Sequence, residues 1–140
     1  MGSMRSKLST LWLFATVNYL YCDVVSLMDP ALLKQYVAGT INGMVVSQGF
    51  LLGAGVLVEI PMAMIVMSRI LGPTAVRWSS LVAASLMTIV QAASLFVKAP
   101  AAYYVFFSVI EIGTTAAIVL LAWRWTAQKA VRTQSSEVAA

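Results

Sequence analysis

Histidine is absent from the 140 residues, cysteine occurs once, and only 10% of positions carry a formal charge. The missing imidazoles and thiols remove the usual ligands of haem, structural zinc and iron–sulfur clusters, so no metal site and no cofactor is implied. The lone Cys22 has no second cysteine for a disulfide or a C-x-x-C redox pair. Scarcity of charge excludes more. Soluble domains are about a quarter charged and about half apolar, whereas this chain is 61% apolar with a mean hydropathy of +0.88. Lipid is therefore the expected solvent, which argues against a water-soluble enzyme. A net charge of +4 would fit nucleic acid only if the cations gathered on one solvated face. They do not, so no nucleic-acid partner is expected.

What the chain does have is four apolar runs, at about 8–27, 45–71, 78–97 and 103–123. Each is long enough to cross a hydrocarbon core of ~30 Å as a helix of about 20 residues. The expected fold class is all-α: an integral membrane four-helix bundle in antiparallel up-down order, forming one domain over residues 8–125. Residues 1–7 read as a tail in which Met1-Gly2-Ser3 resembles a cloning remnant, and 126–140 as a polar, loose tail. The first run contains Asn18 and Asp23 and lacks a small-residue cleavage site, so it is read as a span and not as a removable signal peptide.

Arg5, Lys7, Arg69, Arg77, Arg124, Lys129 and Arg132 fall on one side of these spans, and only Lys34 and Lys98 on the other. The positive-inside bias then makes both termini cytoplasmic. Trp12, Trp78, Trp123 and Trp125 fall near that inner boundary and Tyr36, Tyr103 and Tyr104 near the outer one, where amphipathic rings prefer headgroups. The links at Gly72-Pro73 and Ala99-Pro100 are short, whereas that from Met28 to Met44 is long. Within it Asp29-Pro30 reads as an N-cap with proline at the first helical position and Gly39 as the stop, predicting an interfacial helix over about 30–38. The second run, at roughly 40 Å of helix, exceeds the bilayer and must tilt or bend, with Pro61 supplying the bend.

The anomaly lies inside the spans. No lysine or arginine sits deep in any of them, yet Glu59, Glu111 and Asp23 do. Helix rise puts Glu59 about 15 Å from Arg69, Glu111 about 18 Å from Trp123 and Asn18 about 15 Å from Leu8, all near the midplane. An ionised acid in hydrocarbon costs several kcal/mol, so each must be protonated, hydrogen-bonded or facing a polar cavity. Tyr104, Ser108, Glu111 and Thr115 recur at steps of four, three and four, and Thr88, Gln91 and Ser94 at three, which lines each set up on one helix face. Gly55 and Ala63 leave room beside Glu59, and Gly49-x-x-x-Gly53 permits close helix approach. These stripes predict a polar pocket open toward the outer side, floored by Glu59, Glu111 and Asn18 and flanked by Asp23, Gln48, Gln91, Tyr104 and Ser108. The bland alternative is that the same side chains are hydrogen-bonding glue between helices.

The succession Asn18 to Asp23, Ser26 to Pro30, Ser47 to Gly53, Glu59-Ile60-Pro61, Arg77-Trp78, Tyr104 to Ile112 and Ala122 to Trp125 resembles a family of small bacterial four-span membrane proteins filed as a domain of unknown function. In general plan it is also similar to the DoxX-like group, some members of which are linked to quinone-dependent sulfur oxidation, although no motif here carries that chemistry. The resemblance implies a bacterial inner-membrane protein and weighs toward Glu111 and Asp23 over Glu59.

Three functional classes follow. The first is binding or transport of a proton, cation or amphipathic small molecule, with a homo-oligomer, most simply a dimer, gathering midplane acids around a path. The second is an accessory or structural subunit with the acids as glue. The third is an intramembrane protein or enzyme for a lipid or quinone, using two carboxyls as acid and base. Binding or transport ranks first and the enzyme last.

Overall fold

The computed structural model describes residues 3–96 and 100–138, the stretch 126–138 as backbone only. The expectations placed on Val97, Lys98 and Ala99 lie outside the described residues, as do those on the side chains of Lys129 and Arg132. Helices α1 (Met4–Met28), α2 (Pro30–Val37), α3 (Gln48–Ile70), α4 (Pro73–Ser94) and α5 (Ala102–Val138) are joined by one small hairpin, β1 (Thr40–Ile41) with β2 (Met44–Val45). Among the described residues four helices are long and apolar enough to cross a membrane: α1, α3, α4 and the 102–125 part of α5.

Local chemistry sets the ends. Ser3 accepts from Ser6 N to start α1, and Ser47 accepts from Phe50 N to start α3. Proline at the first helical position after Gly72 starts α4 at Pro73, five residues before the hydropathy run at Trp78. Asp29 caps α2 through Ala31 N and Leu32 N, and Gly39 at φ +71 ends it. The hairpin has a signal that hydropathy hides: Asn42 at φ +49 and Gly43 at φ +83 form a two-residue turn, which favours Asn-Gly because both positions are left-handed. It withdraws Met44 and Val45 from the second run, leaving 23 residues of α3, roughly 34 Å of helix. At the other end α5 continues past Trp125 to Val138 without a break.

Cross-helix hydrogen bonds give the packing. Arg5 and Ser9 of α1 bond to Leu71 at the end of α3 and to Ile65 within it, and Asn18 of α1 and Asp29 just after α1 bond to Glu111 and Tyr103 of α5, so α1 runs opposite to both. Helix α4 pairs with α5 through Arg77 with Ala122, Thr88 with Thr115 and Gln91 with Ser108. Helices α3 and α5 do not pack against each other.

The apolar core sits in the half of the bundle nearest Arg5, Arg69 and Arg77. Leu8, Trp12, Met64, Val76, Ala83, Ala84 and Ile118 are buried together there. Trp12 is fully buried with its Nε1 3.5 Å from Ser80 Oγ, so it belongs to the core and not to the headgroup belt expected for all four tryptophans. Trp78 and Trp123 are exposed. In α3 the buried residues are Pro61, Met64 and Ser68, all on the basic side of Pro61, and only 11% of its apolar window is buried against 33% in each other span. The half of α3 from Gln48 to Glu59 is left uncovered by the rest of the chain. Trp12→Ala is expected to lower stability by about 3–5 kcal/mol through cavity formation, read as a reduced midpoint in detergent unfolding, whereas Leu120→Ala, at an exposed position, should shift it little.

Candidate functional site

Glu111 lies on α5 with 1% of its surface exposed. Desolvation on this scale requires hydrogen bonding, and Asn18 of α1 supplies it: Nδ2 donates to Glu111 Oε1 at 3.1 Å and to the Phe107 carbonyl at 3.3 Å. Both hydrogens of the amide are thereby used, which fixes the side chain against α5. Glu111 Oε2 is buried and has no partner among the described residues, and neither has the buried hydroxyl of Tyr19, the residue next to Asn18. One turn further along α5, Thr115 donates to the Glu111 carbonyl and receives from Thr88, which ties α4 to the same level.

Gln91, Tyr104 and Ser108 form a different structure. Gln91 Nε2 donates to Ser108 Oγ, Ser108 donates to the Tyr104 carbonyl, Tyr104 OH donates to Ser94 Oγ, and Ser94 donates to the Gln91 carbonyl, each at 2.7 Å. The loop of bonds closes on itself across the α4–α5 seam. These groups satisfy one another, as interhelical glue does.

Glu59, Asp23 and Gln48 are exposed on the protomer surface. Glu59 is exposed whereas Glu111 is buried, and the backbones of α3 and α5 do not come close, so a single chain does not bring the two acids to one floor. The reason is positional: α1 lies between α3 and α5, and α3 turns only its basic-end half into the core. Nor do the glycines beside Glu59 serve close packing within the chain, since a Cβ placed at Gly53 or Gly55 would meet nothing within 4 Å.

Above the α1–α5 seam, Tyr103 OH donates to Asp29 Oδ2 at 3.3 Å, joining the start of α2 to the start of α5. Tyr36 on α2 has its phenol pushed above the ordinary value, first by burial and then by the negative charge of Asp23. It stays neutral and able to donate. Tyr19 is the site residue that sequence reasoning passed over. Spacing put it on one helix line with Asp23, beside the line of Asn18 and Cys22, but a tyrosine in a span is more often read as an interfacial ring. Among the described residues no three His, Cys, Asp or Glu gather in a way that would hold a metal ion.

A family model matches residues 2–132. The chain belongs to DUF6326, a family of unknown function. No match was found among curated proteins or among solved structures. The DUF6326 chain is thus a small multi-pass membrane protein whose seam of polar groups has to be read from its own chemistry.

If the Asn18–Glu111 bond carries the α1–α5 seam, removing it costs more than losing one surface contact. Asn18→Leu is expected to destabilise by about 1–3 kcal/mol, since it strands a buried carboxyl. In a double-mutant cycle with Glu111→Leu the two losses should be strongly non-additive; full additivity would mean that the pair is not coupled.

Proposed function

We propose that this DUF6326 protein binds a cation at Glu111, a proton in the simplest case, and passes it across the membrane. The supporting observation is one carboxyl group with its two oxygens in unlike states: Oε1 held by Asn18, Oε2 buried and without a partner among the described residues. The four spans supply no lysine, arginine or histidine at that depth, so the charge has to be neutralised by something that arrives. A neutral amide donor is suited to this task. It orients the carboxyl without competing for Oε2 as a fixed arginine would, so the group can be loaded and unloaded. The same geometry suits an amphipathic small molecule with a cationic group, which would enter from lipid.

The closed hydrogen-bond loop of Gln91, Ser94, Tyr104 and Ser108 is scaffold in this reading and holds α4 on α5. A homodimer fits the remaining acid. Glu59 lies mid-span on the uncovered half of α3, where glycines leave room for a neighbouring helix, and a second copy would remove it from lipid. The bias of cations to one end supports a cytoplasmic orientation of that end and of both termini, and the resemblance noted in the sequence supports a bacterial inner membrane.

The test is flux in proteoliposomes of the full chain, followed with an internal pH-sensitive dye under an imposed gradient. Glu111→Gln keeps an acceptor oxygen for Asn18 and should fold normally, yet flux of protons or of a lipophilic cation should fall by roughly tenfold or more. Glu59→Gln should leave a smaller effect. Equal flux for wild type and Glu111→Gln would end the proposal and leave the acid as glue.

A further inference from the structure

The basic end of the bundle holds a second, independent assembly. Arg5 Nη1 donates to the Leu71 carbonyl at 3.0 Å, and Arg69 Nε donates at 3.0 Å to Ser9 Oγ, whose own hydrogen goes to the Ile65 carbonyl. Through Ser9, Arg69 is anchored beside the Ile65 carbonyl, and Arg5 is anchored at the Leu71 carbonyl, so the two guanidinium groups sit along one α1–α3 seam with about 9 Å of helix rise between their anchor points. Neutral acceptors pin both. Among the described residues no carboxylate pairs with either. The nearest acid along α3 is Glu59, about 15 Å away by helix rise. Asp23, Asp29 and Glu111 belong to the middle or far part of the bundle, and the side chain of Glu137, the fifth acid, lies outside the described residues.

Two cations held on one seam with no counter-charge among the described residues are a cost unless an anion joins them. A guanidinium carries five N–H groups. One is used on each side chain, so four remain on Arg5 and four on Arg69. Forked, planar donors of this kind match the tetrahedral oxygens of a phosphate, to which arginine binds bidentately. The seam also stands where the apolar part of the helices ends, which is the level of lipid headgroups. The uncapped start of α4 after Gly72 adds attraction for an anion and selects none.

We infer that Arg5 and Arg69, held across the α1–α3 seam, bind the phosphate of an anionic membrane phospholipid. The lipid bridges α1 and α3 at their basic end, where α3 has its only buried anchorage. This assignment does not depend on the role given to Glu111, because it concerns different helices and a different anion.

The experiment is native mass spectrometry of the full-length protein, stripped of lipid in a neutral detergent and then given phosphatidylglycerol, phosphatidylcholine or inorganic phosphate. Wild type should retain phosphatidylglycerol and raise its unfolding temperature with it, and should retain phosphatidylcholine weakly. In Arg5→Gln/Arg69→Gln, retention should fall roughly tenfold or more. Arg124→Gln, an exposed cation of the same end, should stay near wild type. Arg69→Lys keeps the charge and loses the fork, so it should bind at an intermediate level, and it serves if the double variant does not fold. Retention unchanged in both Arg69 variants, or an equal loss in Arg124→Gln, would overturn the site. Saturation by inorganic phosphate with the same arginine dependence would overturn its assignment to a lipid.

Discussion

A carboxyl group that cannot reach water must be satisfied by whatever neutral groups the surrounding helices present, and in this bundle that requirement falls on Asn18. Its amide bridges the Phe107 carbonyl and Glu111 Oε1, so one side chain fixes both the spacing of α1 from α5 and the orientation of the acid. Lipid makes the bond consequential. In water either group would find solvent on separation, whereas in hydrocarbon the broken state strands a carboxyl, and the helices stay together to avoid it. The level of Thr88 and Thr115, and the freedom of Glu111 Oε2, are set by that contact.

The bundle divides into two halves that are stabilised differently. Toward the basic end, Leu8, Trp12, Met64, Val76 and Ile118 fill the interior, and arginines fasten the rims to backbone carbonyls and to Ser9. Toward the other end the seams are polar, with hydroxyl, amide and carboxyl groups closing on one another between α1, α4 and α5. Helix α3 takes part in the first half only, and Pro61 marks the boundary. Apolar packing therefore holds one end of the bundle and polar seams hold the other.

Much of the plan was legible locally. The apolar runs, the Asp29-Pro30 cap, the Gly39 stop and the stripes Tyr104-Ser108-Glu111-Thr115 and Thr88-Gln91-Ser94 all rest on spacing along one helix, which sequence states directly. The Asn42-Gly43 turn was equally local, but hydropathy masked it by running Met44 and Val45 into the following span. Depth was legible too: Asn18 and Glu111 come out at one level by helix rise, and they are bonded. What failed was lateral position. Equal depth put Glu59 beside Glu111, yet α1 stands between their helices, and Trp12 at headgroup depth turned inward to the core.

The amino-acid sequence by itself determined that the chain has four apolar helices long enough to cross a membrane and which polar residues share a face of each, because hydropathy, capping and a constant rise per residue act along a single axis. Only the tertiary structure decided which acid is buried and by whom it is held, since rotation about each helix axis and the order of helices around the bundle depend on many weak contacts between faces that look alike when both neighbour and lipid are apolar.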